Sequence, residues 1–231
     1  MTKAIAIIPA RGGSKRLPRK NIKPFMGKPM IAWPIESALE SGAFSSVIVS
    51  SDDDEIGAVA QKYGARFVKR PPELATDEVH ESLAYLHVLD VLKSEDAEPE
   101  FFCGLYATAV LVLPKDLKES FGVMESPVPA DVVMGVSSYP IHPYKALLTN
   151  AEGYQEMMFP VECKWRSQLY PKVVASNGTF YWFRTSSFRV IPTYYPKRLC
   201  YYELPPERAV DMDTEEDFKW AETLAKMEGM K

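Results

Sequence analysis

Short apolar runs alternate with amphipathic stretches over the first 92 residues, and that rhythm leaves this chain few folds to choose from. Ala4–Ile8, Ser46–Ser50 and Arg66–Lys69 read as strands, while Ile31–Ser41, Asp53–Lys62 and Val79–Leu92 between and after them read as helices. Gly42 and Gly64 stand where helices should end, and Pro29 lies near where one should begin. Phe101–Tyr106 and Asp131–Val136 fit two further central strands, and the pattern resumes with strands at Phe180–Phe183 and Leu199–Glu203 and a helix through Glu215–Met227. Strands bridged by helices run parallel, which lines up their C-terminal ends along one crevice where ligands bind. The expectation is an α/β fold in which Arg11, Asp52 and Tyr106 meet at that edge. From 140 to 171 the composition shifts to histidine, aromatics and Met157-Met158 with little periodicity, as suits an inserted arm with a face to cover. An irregular layer over the same core fits that segment as well.

Charge is distributed unevenly along the same frame. Eight basic side chains and no acidic one precede Glu36, although the whole chain carries 27 Lys+Arg against 31 Asp+Glu, a formal net charge of -4. A local basic run in an acidic chain suits a small polyanion and argues against a nucleic-acid surface. Most of that run, Arg11 to Asn21, directly follows the first strand, and Gly12 and Gly13 free the backbone to bring N–H groups close to phosphate oxygens. A solvated basic turn is the plain alternative. The G-x-x-x-x-G-K-[ST] pattern of a P-loop is absent, so ATP hydrolysis is not inferred.

Two acidic places complement it. Ser51 to Glu55 follows a strand and can cap the next helix, with Asp52 also placed to reach a base or ribose. Asp211-Met212-Asp213 is sharper, because an i,i+2 pair in an extended segment points both carboxylates to one side, an arrangement that favours Mg²⁺. The same residues can instead begin the last helix. Cys103, Cys163 and Cys200, with His80, His87 and His142, have no metal-ligand spacing, and the cysteines read as reduced structural thiols. No apolar run reaches about 18 residues and no signal-like segment precedes the first strand, so the expectation is a cytoplasmic protein without a membrane partner.

Taken in order, Ile8–Lys15, Leu17–Asn21, Gly27–Met30, Val49–Asp53, Arg70–Ala75 and Asp211–Thr214 resemble the motifs of the cytidylyltransferases that activate nine-carbon 2-keto-3-deoxy sugar acids. The resemblance spans nearly the whole chain. It implies a single Rossmann-like nucleotidyltransferase domain over 1–231, with a protruding dimerisation arm at 140–171 and a homodimer as the working unit. It implies CTP and a nonulosonic acid as substrates and Mg²⁺ as cofactor. Matched motif by motif, Arg11, Gly12, Gly13, Ser14, Lys15, Asn21, Asp52, Arg70 and Tyr106 fall on the nucleotide side. Lys20, Asp211 and Asp213 fall at the chemistry, with the two aspartates as metal ligands. Lys145, Arg166, Gln168 and Asn177 fall on the sugar side, where Lys145 or Arg166 suits a carboxylate and Gln168 and Asn177 suit hydroxyl and acylamido groups.

Within that family Leu105–Ala109 and Phe180-Tyr181-Trp182 are similar to the enzymes acting on pseudaminic acid, whereas Val110 and Asn177-Gly178 depart from them, the latter toward the sialic and legionaminic pattern. The implied reaction is cytidylyl transfer from CTP to pseudaminic acid, with release of pyrophosphate. Sialic or legionaminic acid is the alternative acceptor, and a catalytically idle sugar-nucleotide sensor the alternative class.

Overall fold

A computed structural model describes residues 4–230. Its strands are β1 (Ala4–Pro9), β2 (Pro24–Phe25), β3 (Lys28–Pro29), β4 (Val47–Ser51), β5 (Arg66–Lys69), β6 (Phe101–Leu105), β7 (Val132–Ser138), β8 (Leu147–Thr149), β9 (Gln155–Met157), β10 (Val174–Arg184) and β11 (Leu199–Glu203). Its helices are α1 (Ala32–Ser41), α2 (Asp54–Lys62), α3 (Ser82–Ser94), α4 (Pro114–Met124), α5 (Thr185–Val190) and α6 (Glu215–Met227). Seven strands form the main sheet in the order β11-β7-β10-β6-β1-β4-β5.

β1 sits inside this sheet because it is apolar on both faces. Ala4, Ala6 and Ile8 join a core with Ile31, Ile35, Ile56, Ala60 and Leu117 of the helical layer on one side. Ile5 and Ile7 join Tyr85, Val88, Leu89 and Phe188 on the other. That two-residue alternation between faces is the period of a strand, and two buried faces are what a parallel sheet flanked by helices demands. β1 pairs in parallel with β4 and β6, and β4 with β5. Gly42 and Gly64 follow α1 and α2 in left-handed conformation, φ 67 and 90, as the sequence leads one to expect.

The sheet departs from simple parallel winding at β10, which lies antiparallel between β6 and β7, while β11 returns parallel to β7. The sheet is therefore mixed, though mostly parallel. β10 is also longer than Phe180–Phe183, running back to Val174 with an irregularity between Ser176 and Tyr181 that contains Asn177-Gly178. Two helices, α4 and α5, occur where the apolar pattern announces none.

A third cluster matters most for the site. Met212, buried completely, packs with Phe218, Ala221 and Leu224 of α6 against Leu17, Phe25 and Met30 of the N-terminal segment. This seam carries the Asp211–Asp213 segment to the basic loop, although the two are almost the whole chain apart in sequence.

Residues 140–171 form a β8–β9 hairpin and short 3-10 turns, and none of them is buried. Tyr144 gathers His142, Phe159, Trp165 and Tyr170 around its ring at centroid distances of 4.6, 5.4, 6.0 and 5.3 Å. Part of the aromatic content is thus absorbed within the segment, while Ile141, Tyr154, Val161 and Leu169 stay exposed. No helix among the described residues is long and apolar enough to cross a membrane.

Candidate active site

The C-terminal ends of β1, β5 and β6 open onto a cavity of about 290 Å³. Arg11, Ser14, Lys15, Lys20, Asn21, Arg70, Tyr106 and Asp213 all line it, so most of the residues singled out in sequence are brought together. The loop after β1 is shaped from within. Asn21, nearly buried, donates its side-chain amide to the carbonyl of Arg11 at 2.9 Å, and the amide of Ser14 reaches back to the carbonyl of Gly12 at 3.1 Å.

Asp52 does not line the cavity. Its carboxylate accepts the Gly12 N–H at 2.9 Å, which commits that amide inside the protein. Asp53 is the residue that caps α2, accepting from the amides of Glu55 and Ile56 at 2.9 and 3.1 Å while the Arg19 guanidinium binds its other oxygen. That guanidinium, together with the two amides, holds the Asp53 carboxyl below the usual carboxylate range. Gly12 is confined by the same residue, since a Cβ there would stand 2.7 Å from Asp53 Oδ2. Gly13 meets no such neighbour.

The basic side chains are paired with acids at both ends of the loop. Arg11 and Lys15 each lie 2.5 Å from an oxygen of Asp77, and Arg16 and Lys20 lie 2.8 and 3.1 Å from the two oxygens of Asp213. Lys20 also donates to the Met212 carbonyl at 2.9 Å, which docks it on the carboxylate segment. Arg70 is buried on the far wall, where its guanidinium donates to Ser50 Oγ and the Ser50 carbonyl at 3.2 and 2.6 Å. Desolvation lowers its pKa, with the charges of Asp52 and Glu81 opposing.

The last helix is capped by Thr214, which exchanges hydrogen bonds with Asp217, so Asp213 is left to face Lys20 and Arg16. With Met212 buried, the chain turns the aspartates on either side of it away from the core. Asp211 reaches solvent, yet its carboxyl lies 3.8 Å from where a Cβ on Gly178 would stand. Partial desolvation and then the charge of Asp213 push its pKa up. Two aspartates flanking a buried residue on one extended segment suit a Mg²⁺ ion, which commonly takes one or two protein carboxylates and completes its shell with water and substrate phosphates. Among the described residues no group of three or more His, Cys, Asp or Glu side chains forms a self-sufficient metal cage.

The sugar-side candidates lie elsewhere in the chain. Asn177 sits in the β10 irregularity, donating to Ser137 Oγ at 3.0 Å and accepting from the Thr179 hydroxyl at 2.6 Å. Lys145 lines a separate depression of the arm with His142 and Tyr170, and Arg166 and Gln168 are exposed on the arm. None of the four lines the cavity at the strand ends. Asp77 and Glu81 do, and sequence reasoning passed over both. The available signals were an acid following the Arg70–Ala75 motif and the i,i+4 spacing of Glu81 and Tyr85 at the start of α3.

Glu81 is bound by three phenols. Tyr85 donates to one carboxylate oxygen at 3.1 Å, and Tyr106 and Tyr194 to the other at 2.5 and 3.2 Å. The residue as a whole is half-buried but its carboxyl is enclosed, and that desolvation raises its pKa against the opposing pull of the hydroxyls.

Comparison with known proteins agrees with this fold. A cytidylyltransferase family model matches residues 5–137. A pseudaminic acid cytidylyltransferase of Campylobacter jejuni is 36% identical over 228 residues, 97% of each chain. An N-acylneuraminate cytidylyltransferase A of Danio rerio is 33% identical over 218 residues, 94% of this chain and 49% of that one. A solved CMP:2-keto-3-deoxy-manno-octonic acid synthetase complexed with CTP shares the fold with a TM-score of 0.71 at 19% identity, over 98% of this chain and 99% of that one.

Proposed function

The chain belongs to the CMP-nonulosonic acid cytidylyltransferase family, and from that premise we propose that it transfers the cytidylyl group of CTP to pseudaminic acid in a Mg²⁺-dependent reaction. The observation that carries the reading is the meeting of the basic loop and the carboxylate segment in one cavity, through Lys20 on Asp213 and on the Met212 carbonyl.

In this reading Arg11, Lys15, Arg16 and Lys20 exchange their internal carboxylate partners for the phosphates of CTP, and so neutralise the charge that develops as pyrophosphate leaves. Gly12, Gly13, Ser14 and Asn21 keep the loop in the shape that presents those cations. Arg70 and Tyr106 form the opposite wall, and Asp52 holds the turn through Gly12. Asp211 and Asp213 would hold Mg²⁺, which when bound supplies positive charge to the phosphates under attack. Asp211 accepts the proton of the anomeric hydroxyl as that oxygen attacks the α-phosphorus.

Pseudaminic acid is preferred because the Campylobacter jejuni enzymes named for it align over 97% of both chains and because Leu105–Ala109 resembles the segment of enzymes acting on that acid. Asn177-Gly178 supports sialic or legionaminic acid as the second reading. The exposed apolar groups of 140–171 support a two-fold dimer in which the arm brings Lys145 or Arg166 toward the neighbouring sugar site, with Gln168 beside them.

The test is an assay of the purified protein with CTP, Mg²⁺ and a panel of pseudaminic, sialic, legionaminic and 3-deoxy-manno-octulosonic acids. Pyrophosphate release and the mass of the CMP-sugar identify the acceptor. The expected product is CMP-pseudaminic acid. Transfer only to another acid overturns the substrate, and CTP binding without turnover of any acid overturns the activity in favour of a sensor. Sedimentation equilibrium over a dilution series should show a dimer, and a fully active monomer refutes the shared site.

A further inference from the structure

Three carboxylates line the nucleotide cavity, and they are treated differently. Asp77 and Asp213 each face two cations. Glu81 hydrogen-bonds only phenols, one from α3, one from the segment after β6 and one from the segment after α5. A desolvated carboxylate with no ion pair is costly unless several donors satisfy it. The charge of Glu81 offsets part of the desolvation of the buried Arg70, but that sets no particular orientation of the carboxylate, whereas accepting three phenolic protons fixes where both oxygens lie.

Of the three phenols, Tyr106 alone lines the cavity. Its ring stands 5.9 Å from that of Tyr181 on β10, and the Tyr181 hydroxyl lies 2.5 Å from Ser176 Oγ. Ser176 leads directly into Asn177 and Gly178, the latter against Asp211. Tyr106 therefore stands between the nucleotide cavity and the Asn177–Asp211 flank. The cations that suit CTP phosphates belong to the opposite loop and make no hydrogen bond to Glu81.

We propose that Glu81 is a positioning residue for the acceptor: by anchoring the Tyr106 hydroxyl it holds that ring as the wall against which the sugar acid is oriented. The inference rests on the cytidylyl-transfer reading above. A carboxylate is needed because its two oxygens can accept all three phenolic protons, whereas glutamine offers one acceptor oxygen and a donor amide. Tyr85 and Tyr194 hold Glu81 itself, and Tyr194 lies outside the cavity lining.

Steady-state kinetics and thermal unfolding of the full chain test this, using CTP and whichever nonulosonic acid the unsubstituted protein turns over. Glu81→Gln and Tyr106→Phe should each raise KM for the acid about tenfold, as for loss of a hydrogen bond to a charged group, and raise KM for CTP by clearly less, because both variants keep the ring that walls the nucleotide cavity. The double variant should be no worse than Tyr106→Phe alone, since both remove one anchor. Tyr194→Phe should lower the melting temperature without moving either KM. Acid KM effects that multiply in the double variant, a parallel rise in CTP KM, or an equal KM effect from Tyr194→Phe overturns the role. If Glu81→Gln does not fold, Tyr106→Phe decides alone, and an unchanged acid KM refutes the anchor. Absence of transfer by the unsubstituted protein overturns the activity reading and this role with it. Transfer with unmoved KM values in the variants overturns the role alone.

Discussion

Asp116→Ala tests whether the segment leading to the carboxylate pair is secured by a buried charge. Asp116 lies in the first turn of α4, is fully buried, and binds the Arg208 guanidinium through both oxygens. It also accepts from the Leu113 amide at 2.9 Å and from the Tyr202 hydroxyl at 3.3 Å. Arg208 is itself only 9% exposed and stands just ahead of Asp211 in the chain. Alanine leaves this guanidinium buried without a counter-charge, which costs about 3–5 kcal/mol. The orphaned Leu113 amide adds about 1 kcal/mol, the usual cost of a lost cap. Tyr202 adds little, because its hydroxyl keeps Glu119 at 2.7 Å. The sum is about 4–6 kcal/mol, and at about 2–4 °C per kcal/mol for a chain of this size the melting temperature should fall by roughly 8–24 °C. Urea unfolding followed by far-UV circular dichroism reads the loss as a lower midpoint at constant slope. Asp116→Leu combined with Arg208→Met should recover most of it, since no buried charge is left unpaired. A loss below about 1 kcal/mol, the range of an exposed ion pair, or a double variant as unstable as the single refutes the reasoning.

Asp211→Asn and Asp213→Asn should each lower kcat by about 10²–10³-fold, the scale of one lost electrostatic contact to the transition state, while leaving the circular dichroism spectrum intact; wild-type turnover at limiting Mg²⁺ in both variants refutes the metal pair. Gly12→Ala drives a Cβ toward Asp53, which its helix cap and Arg19 hold in place, so a stability loss of about 1–3 kcal/mol is expected in urea unfolding. An unchanged midpoint there means that the turn yields freely. The depressed pKa of Asp53 stabilises the fold above the ordinary carboxylate value of 3.8, and the contribution is lost as pH falls through the lower folded value. Asp53→Asn, which keeps the cap, should therefore flatten the acid limb of a stability-versus-pH curve, and an unaltered limb excludes the Arg19 pairing as its cause.

What was legible in the sequence is what neighbouring residues encode among themselves. β1, β4, β5 and β6 announce themselves by apolar runs, and parallel winding then places their ends on one edge, so Arg11 and Tyr106 meet in one cavity as expected, whereas Asp52, expected beside them, turns to the Gly12 amide. The basic loop and the Asp211–Asp213 pair were visible because each is contiguous. Cap residues were only half legible: Asp53 and Thr214 compete with Asp52 and Asp213 for the same local role, and composition does not rank them. The tertiary structure decided that Asp53 takes the cap while Asp52 holds Gly12, and that Thr214 takes the cap while Asp213 meets Lys20 and Arg16. It also decided the antiparallel insertion of β10, which depends on pairing with β6 and β7 and on no local period. The tyrosine enclosure of Glu81 belongs to the same class, because Tyr106 and Tyr194 reach it across 25 and 113 residues. Local periodicity specifies which face of an element is buried; which residue faces which across the chain follows from packing, as when Met212 and Phe218 settle on Leu17 and Phe25 and carry the carboxylates to the basic loop.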